Sequence, residues 1–225
     1  MRNPLSRFSW ATLYREYDAK CRGYDMTSHC LDHFAPSQPT SDRNLYYRLV
    51  ERYALAERTT DRDAIATYQA LLYWKLYSSA GRKGTNILKW LAPEAGKRNS
   101  IAAALFRALS ELPPTVDRNA DLIIRMIREL PEIPGMGAAN DCRLPVRTTF
   151  LHFLYPSVVP VFDKMVLSAV GIEEKDANRS YGILRKYLPF AWELADLYAA
   201  PSALCERETP LRRVDMALWV NRGSP

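Results

Sequence analysis

Apolar positions recur along most of this chain at spacings of three and four, the period of a helix with one buried face. Ile65, Tyr68, Leu72 and Leu76 form one such stripe, behind Thr59 and Thr60 as cap residues and Asp61 and Asp63 in the first turn. Ile101, Leu105, Leu109 and Leu112 form a second after Asn99 and Ser100, and Pro113 and Pro114 stop it. Leu122, Ile123, Met126, Ile127 and Leu130 trace a third behind Asp117, ended by Pro131. The same reasoning predicts helices over 42–57, 146–155, 164–170, 176–187, 190–199 and 211–221. Thr209 caps the last of these, with Pro210 in its first turn. The β-branched run Val158-Val159-Pro160-Val161-Phe162 is short and interrupted by proline, which argues against a strand. The pattern predicts an all-α fold of about ten helices with short, proline-punctuated connections. It spans 1–225 as a single domain, divisible into two helical subdomains around a shared cleft.

Composition changes this picture little. The chain has 225 residues, 48% hydrophobic and 25% charged, close to an average globular protein and unlike a disordered or collagenous one. No stretch reaches the roughly 18 uncharged apolar residues of a membrane span. No apolar segment follows the first residues, so a cytoplasmic protein is expected. The four cysteines (Cys21, Cys30, Cys142, Cys205) form no C-x-x-C, which suits reduced thiols. The formal charge of +6 leans mildly toward polyanionic partners such as nucleic acid.

With only nine glycines in the chain, their clusters at Gly81-Arg82-Lys83-Gly84 and Gly135-Met136-Gly137 draw notice. The second opens the most informative segment. Leu130-Pro-Glu-Ile-Pro-Gly-Met-Gly is followed by the apolar run Phe150-Leu151-His152-Phe153-Leu154, then by Pro160-Val161-Phe162-Asp163. This order resembles the helix-hairpin-helix superfamily of base-excision DNA glycosylases over roughly 40 residues. In that superfamily a glycine hairpin precedes an apolar helix, and a short Pro/Val stretch leads to an aspartate that opens the next helix. The Tyr73-Trp74-Lys75 and Val214–Trp219 segments look like those of uncharacterised bacterial relatives.

The resemblance implies an orthogonal helical bundle and a duplex DNA partner, held through phosphates without reading sequence. Gly135, Met136 and Gly137 would let backbone amides approach a phosphate at a helix start. Gly135 and Asp163 stand 28 positions apart, so the hairpin lies either there or at Leu144-Pro145-Val146-Arg147. Asp163 would be the catalytic carboxylate. Ala138, Ala139 and Asn140 stand where bifunctional members carry a lysine, which implies a monofunctional enzyme that leaves an abasic site. No cysteine set matches the iron–sulfur cluster of some members, so no cofactor is expected.

Each of these residues also has a plainer reading. Asp163 can simply cap the helix beginning at Lys164. Lys164 is a possible amine nucleophile only if burial lowers its pKa, and is otherwise a solvated lysine. Lys83, Arg147 and Arg185, with Arg82, Arg143 and Lys186, can form a phosphate-tracking face or an ordinary charged surface. Cys21, His29, Cys30 and His33 fit no zinc-finger spacing, so no metal is expected. His152 reads as a hydrogen-bonded core histidine. Tyr46, Tyr53, Tyr68, Trp74 and Trp219 read as packing residues. Two rivals stand beside the enzyme: a non-catalytic glycosylase-like scaffold that binds DNA or protein, and a helical interaction module with no nucleic-acid role.

Overall fold

A computed structural model describes residues 1–20, 41–54, 71, 74–75, 104–105, 107–131, 144–199 and 207–222. Among these the regular structure is helical and contains no strand. Two compact units divide the chain. One comprises Met1–Lys20, Pro114–Glu129 and Cys142–Pro225; the other comprises Cys21–Pro113 and Leu130–Asp141.

The first unit contains α1 (Leu13–Lys20), α3 (Ala120–Glu129), α4 (Leu144–Leu154), α5 (Lys164–Ala169), α6 (Tyr181–Leu197) and α7 (Pro210–Val220). Short 3-10 turns at Trp10–Thr12 and Ala177–Arg179 complete it. In the second unit, α2 (Asp42–Ala54) buries Leu45, Tyr46 and Leu49 and sets Tyr46 against Trp74 at 5.8 Å between ring centres.

The first unit is organised around α7, which packs against α1, α5 and α6. Leu211 through Leu218 are all buried, so the helix has no solvent stripe along most of its length. Such a helix must find partners for the charges it carries inside. Arg212 pairs with Asp215 one turn on, and its other terminal nitrogen donates to the Tyr17 hydroxyl of α1 at 2.8 Å. Arg213 donates to the Ala199 carbonyl at 2.8 Å. Tyr17 also packs against Trp219 at 5.4 Å, and Tyr14 donates to Glu208 at 2.7 Å. The N-terminal helix is thus tied to α7 by hydrogen bonds as well as by apolar area.

Most boundaries follow from caps. The Thr209 hydroxyl accepts from the Arg212 amide at 3.2 Å with Pro210 in the first turn, as its spacing predicts. Asn119, rather than the expected Asp117, caps α3 by accepting from the Leu122 amide at 3.0 Å. The two helices expected over 176–187 and 190–199 are instead a 3-10 turn and one continuous helix, with Pro189 inside it. Ser180 caps that helix by accepting from Ile183 at 3.2 Å. Pro189 removes one helical bond, to the carbonyl of Arg185, but both residues are exposed and water can serve that group.

Candidate active site

The connection from α4 to α5, which delivers Asp163, has little regular structure of its own. Side chains of the surrounding helices hold it instead. Thr209 donates its hydroxyl to the Pro156 carbonyl at 2.8 Å, and Trp192 donates its indole N–H to Val158 at 2.6 Å. His152 Nδ1 lies 2.6 Å from the Val159 carbonyl. The Phe162 amide donates to Thr148 Oγ1 at 3.3 Å, while Thr148 donates to the Leu144 carbonyl at 2.8 Å. The Phe162 ring packs on Tyr187 of α6 at 5.5 Å. Helices α4, α6 and α7 therefore fix the backbone up to the residue before Asp163, and buried polar groups along it find partners.

Asp163 then opens α5. Its backbone is extended, and Oδ1 accepts from the Met165 amide at 2.8 Å and the Val166 amide at 3.2 Å. The cap reading holds, and the side chain is half-buried rather than sealed in the core. A carboxylate held at a helix start by two amides has a fixed direction and a favourable dipole. The other end of α5 is equally defined. Gly171 has φ +81°, the Ile172 amide donates to Leu167 at 2.9 Å, and the Gly171 amide donates to Ser168 at 3.0 Å. That pairing is a Schellman motif, which asks for glycine at this position.

Tyr187, whose ring meets Phe162, is 1% exposed. Burial first, then the charges of Asp215 and Asp163, push its hydroxyl well above the ordinary phenol value of 10.0. The phenol is therefore neutral throughout the physiological range. Tyr187, Thr148 and Trp192 were not marked by the sequence, because distant partners, 14 and 34 positions away for the latter two, leave no local periodicity, whereas His152 and Thr209 were marked but not their bonds to the connection.

The other expected residues separate into three groups. Arg147 does not face a phosphate. It is 1% exposed, and its Nη1 donates to the Ile127 carbonyl in the last turn of α3 at 2.6 Å. A guanidinium there satisfies a helix-end acceptor and meets the negative end of the helix dipole, which draws it inside. The alternative hairpin at Leu144–Arg147 fails for a related reason. Those residues are the first turn of α4, and Leu144, Val146 and Arg147 are buried. Lys164 is exposed, so the burial that would make it an amine nucleophile is missing. Arg185 is on the surface, paired with Asp121 at 2.6 Å, and Lys186 is exposed beside it. Gly135, Met136, Gly137, Lys83, Arg82, Arg143 and the Cys21–His33 window lie outside the described residues. Among the described residues no cluster of His, Cys, Asp or Glu has the arrangement of a metal site. His152 is fully buried, as a core histidine should be.

No helix among the described residues is long and apolar enough to cross a membrane. No protein-family model, curated protein or solved structure matches the chain.

Proposed function

We propose that this helical protein binds duplex DNA and hydrolyses the N-glycosidic bond of a damaged base in an extruded nucleotide. Asp163 is the carboxylate that serves the reaction. The observation that carries this reading is the setting of Asp163: half-buried, anchored through one oxygen on two backbone amides, at the end of a connection held by three helices. A carboxylate fixed in that way pays no reorganisation penalty when positive charge builds on the sugar.

In the reaction the bond between C1′ and the base nitrogen breaks as water oxygen bonds to C1′. The base leaves with the electron pair of the broken bond and takes one water proton, while the other stays in the new C1′ hydroxyl of the abasic site. Asp163 stabilises the oxocarbenium-like state and orients the water, by the electrostatics of glycoside hydrolysis. The nucleotide must first leave the helix stack, which costs a few kcal/mol and favours damaged or mismatched bases. Exposure of Lys164 supports a monofunctional enzyme, since no buried amine stands beside Asp163 in sequence to form a Schiff base.

The test is base release from duplexes carrying a panel of deaminated, alkylated and oxidised bases. Asp163→Asn should lower the rate by about 100-fold or more, the scale of removing one fixed electrostatic group from a reaction centre. An Asn variant that releases base at the wild-type rate overturns the assignment. A helical interaction module with no nucleic-acid role is the second reading, favoured by the internal use of Arg147 and the ion pairing of Arg185. It predicts weak DNA binding with little salt dependence, and no base released by wild type or Asp163→Asn.

A further inference from the structure

We propose that Tyr187 is a positioning residue for Asp163, its ring bracing Phe162 and thereby setting where the carboxylate stands. The catalytic consequence rests on the glycosylase reading above; the mechanical claim does not.

Phe162 and Asp163 are consecutive, and Asp163 is where the chain passes from extended backbone into α5. The carboxylate's position is therefore fixed from two sides. On the helical side, Oδ1 is tied to the Met165 and Val166 amides. On the other side, the Phe162 amide is held by Thr148 at 3.3 Å and the Phe162 ring meets Tyr187 at 5.5 Å with 58° between planes. Both rings are buried, at 0% and 1% exposure, so each fills space the other would otherwise leave empty. Interiors are close-packed, and a truncated ring is answered by movement of its neighbour into the void. Here the neighbour is the residue that carries Asp163.

Besides its burial, the hydroxyl of Tyr187 feels the charges of Asp215 and, more weakly, Asp163, which places it within electrostatic reach of the carboxylate. The contact with Phe162 is made by the ring, 5.5 Å between centres, so the brace is the ring. The conservative variant Tyr187→Phe should then preserve it, while Tyr187→Leu should not.

The experiment compares wild type, Tyr187→Phe, Tyr187→Leu and Leu194→Ala. Leu194 is a buried residue of the same helix and controls for a general loss of core packing. Amide hydrogen exchange at Met165 and Val166 reports the bonds to Asp163 directly and requires no activity. Exchange there should rise at least tenfold in Tyr187→Leu beyond the change at other α6 and α7 amides. It should stay within about twofold of wild type in Tyr187→Phe and, after correction for global stability, in Leu194→Ala. In base release, Tyr187→Leu should lose at least tenfold in kcat with KM unchanged, and Tyr187→Phe should restore it. Unchanged exchange at Met165 and Val166 in Tyr187→Leu, or an equal effect in Leu194→Ala, overturns the proposal. If the wild type releases no base, the glycosylase reading fails and the exchange measurements alone decide on Tyr187.

Discussion

Asp163 caps a helix and is assigned to chemistry, and substitution separates the two duties. Asparagine caps about as well as aspartate, whereas alanine loses about 1 kcal/mol. In urea denaturation Asp163→Asn should stay close to wild type, and Asp163→Ala should fall by about that amount. Both should lose base release. Gly171→Ala places a side chain at φ +81° and should destabilise by about 1 kcal/mol, read in the same assay. Arg147→Met removes a buried donor from the Ile127 carbonyl and should cost about 2 kcal/mol without altering the salt dependence of DNA binding. The cap role of Asp163 was legible because it depends on neighbours two and three positions away. The burial of Arg147 was not, because a sequence displays its charge but not the helix end, 20 positions earlier, that receives it.

At the scale of elements, caps made several helix boundaries readable and long-range contacts decided the rest. Thr209 and Pro210 mark the start of α7 within their own four residues. Pro189 reads locally as a break, yet α6 runs through it because the lost bond faces water while Leu188, Ala191 and Trp192 stay in the core. In the connection 155–163, Pro160 and the Asp163 cap were legible locally, but the path between them was not, since its order comes from Thr148, His152, Trp192 and Thr209. The burial of Tyr187 in α6 has a pH consequence. The Tyr187 hydroxyl ionises at higher pH in the folded protein than in the unfolded chain, whose phenols titrate near 10.0. Its contribution is therefore fully present below about pH 10 and is lost as pH climbs above that toward the folded-state value. Denaturation from pH 8 to 11 should show wild type losing stability more steeply than Tyr187→Phe. Parallel curves would mean that Tyr187 is not held in so poor a solvent. In α7, Asp215→Ala removes a buried carboxylate paired with the Arg212 guanidinium and should cost about 3 kcal/mol.

At the scale of the molecule, the helical class was readable from periodicity, since apolar stripes at spacings of three and four dominate the chain and no strand occurs among the described residues. Its division into two compact units was less so, because each unit is assembled from segments far apart in sequence. The net charge of +6 makes a measurable claim about partners. If several phosphates are contacted, the logarithm of DNA affinity should fall steeply with the logarithm of salt, by roughly 0.9 per phosphate neutralised. A flat response would favour the interaction-module reading. If the Asp163 charge faces a sugar cation, that can be tested without knowing which base is excised. The measurement is the affinity for two duplexes that differ at one nucleotide: a cationic pyrrolidine in place of the sugar ring, or a neutral tetrahydrofuran abasic site. Wild type should bind the cationic duplex at least tenfold more tightly, and Asp163→Asn should lose this preference. Equal affinity of the wild type for both duplexes, or a preference that survives in Asp163→Asn, would contradict it.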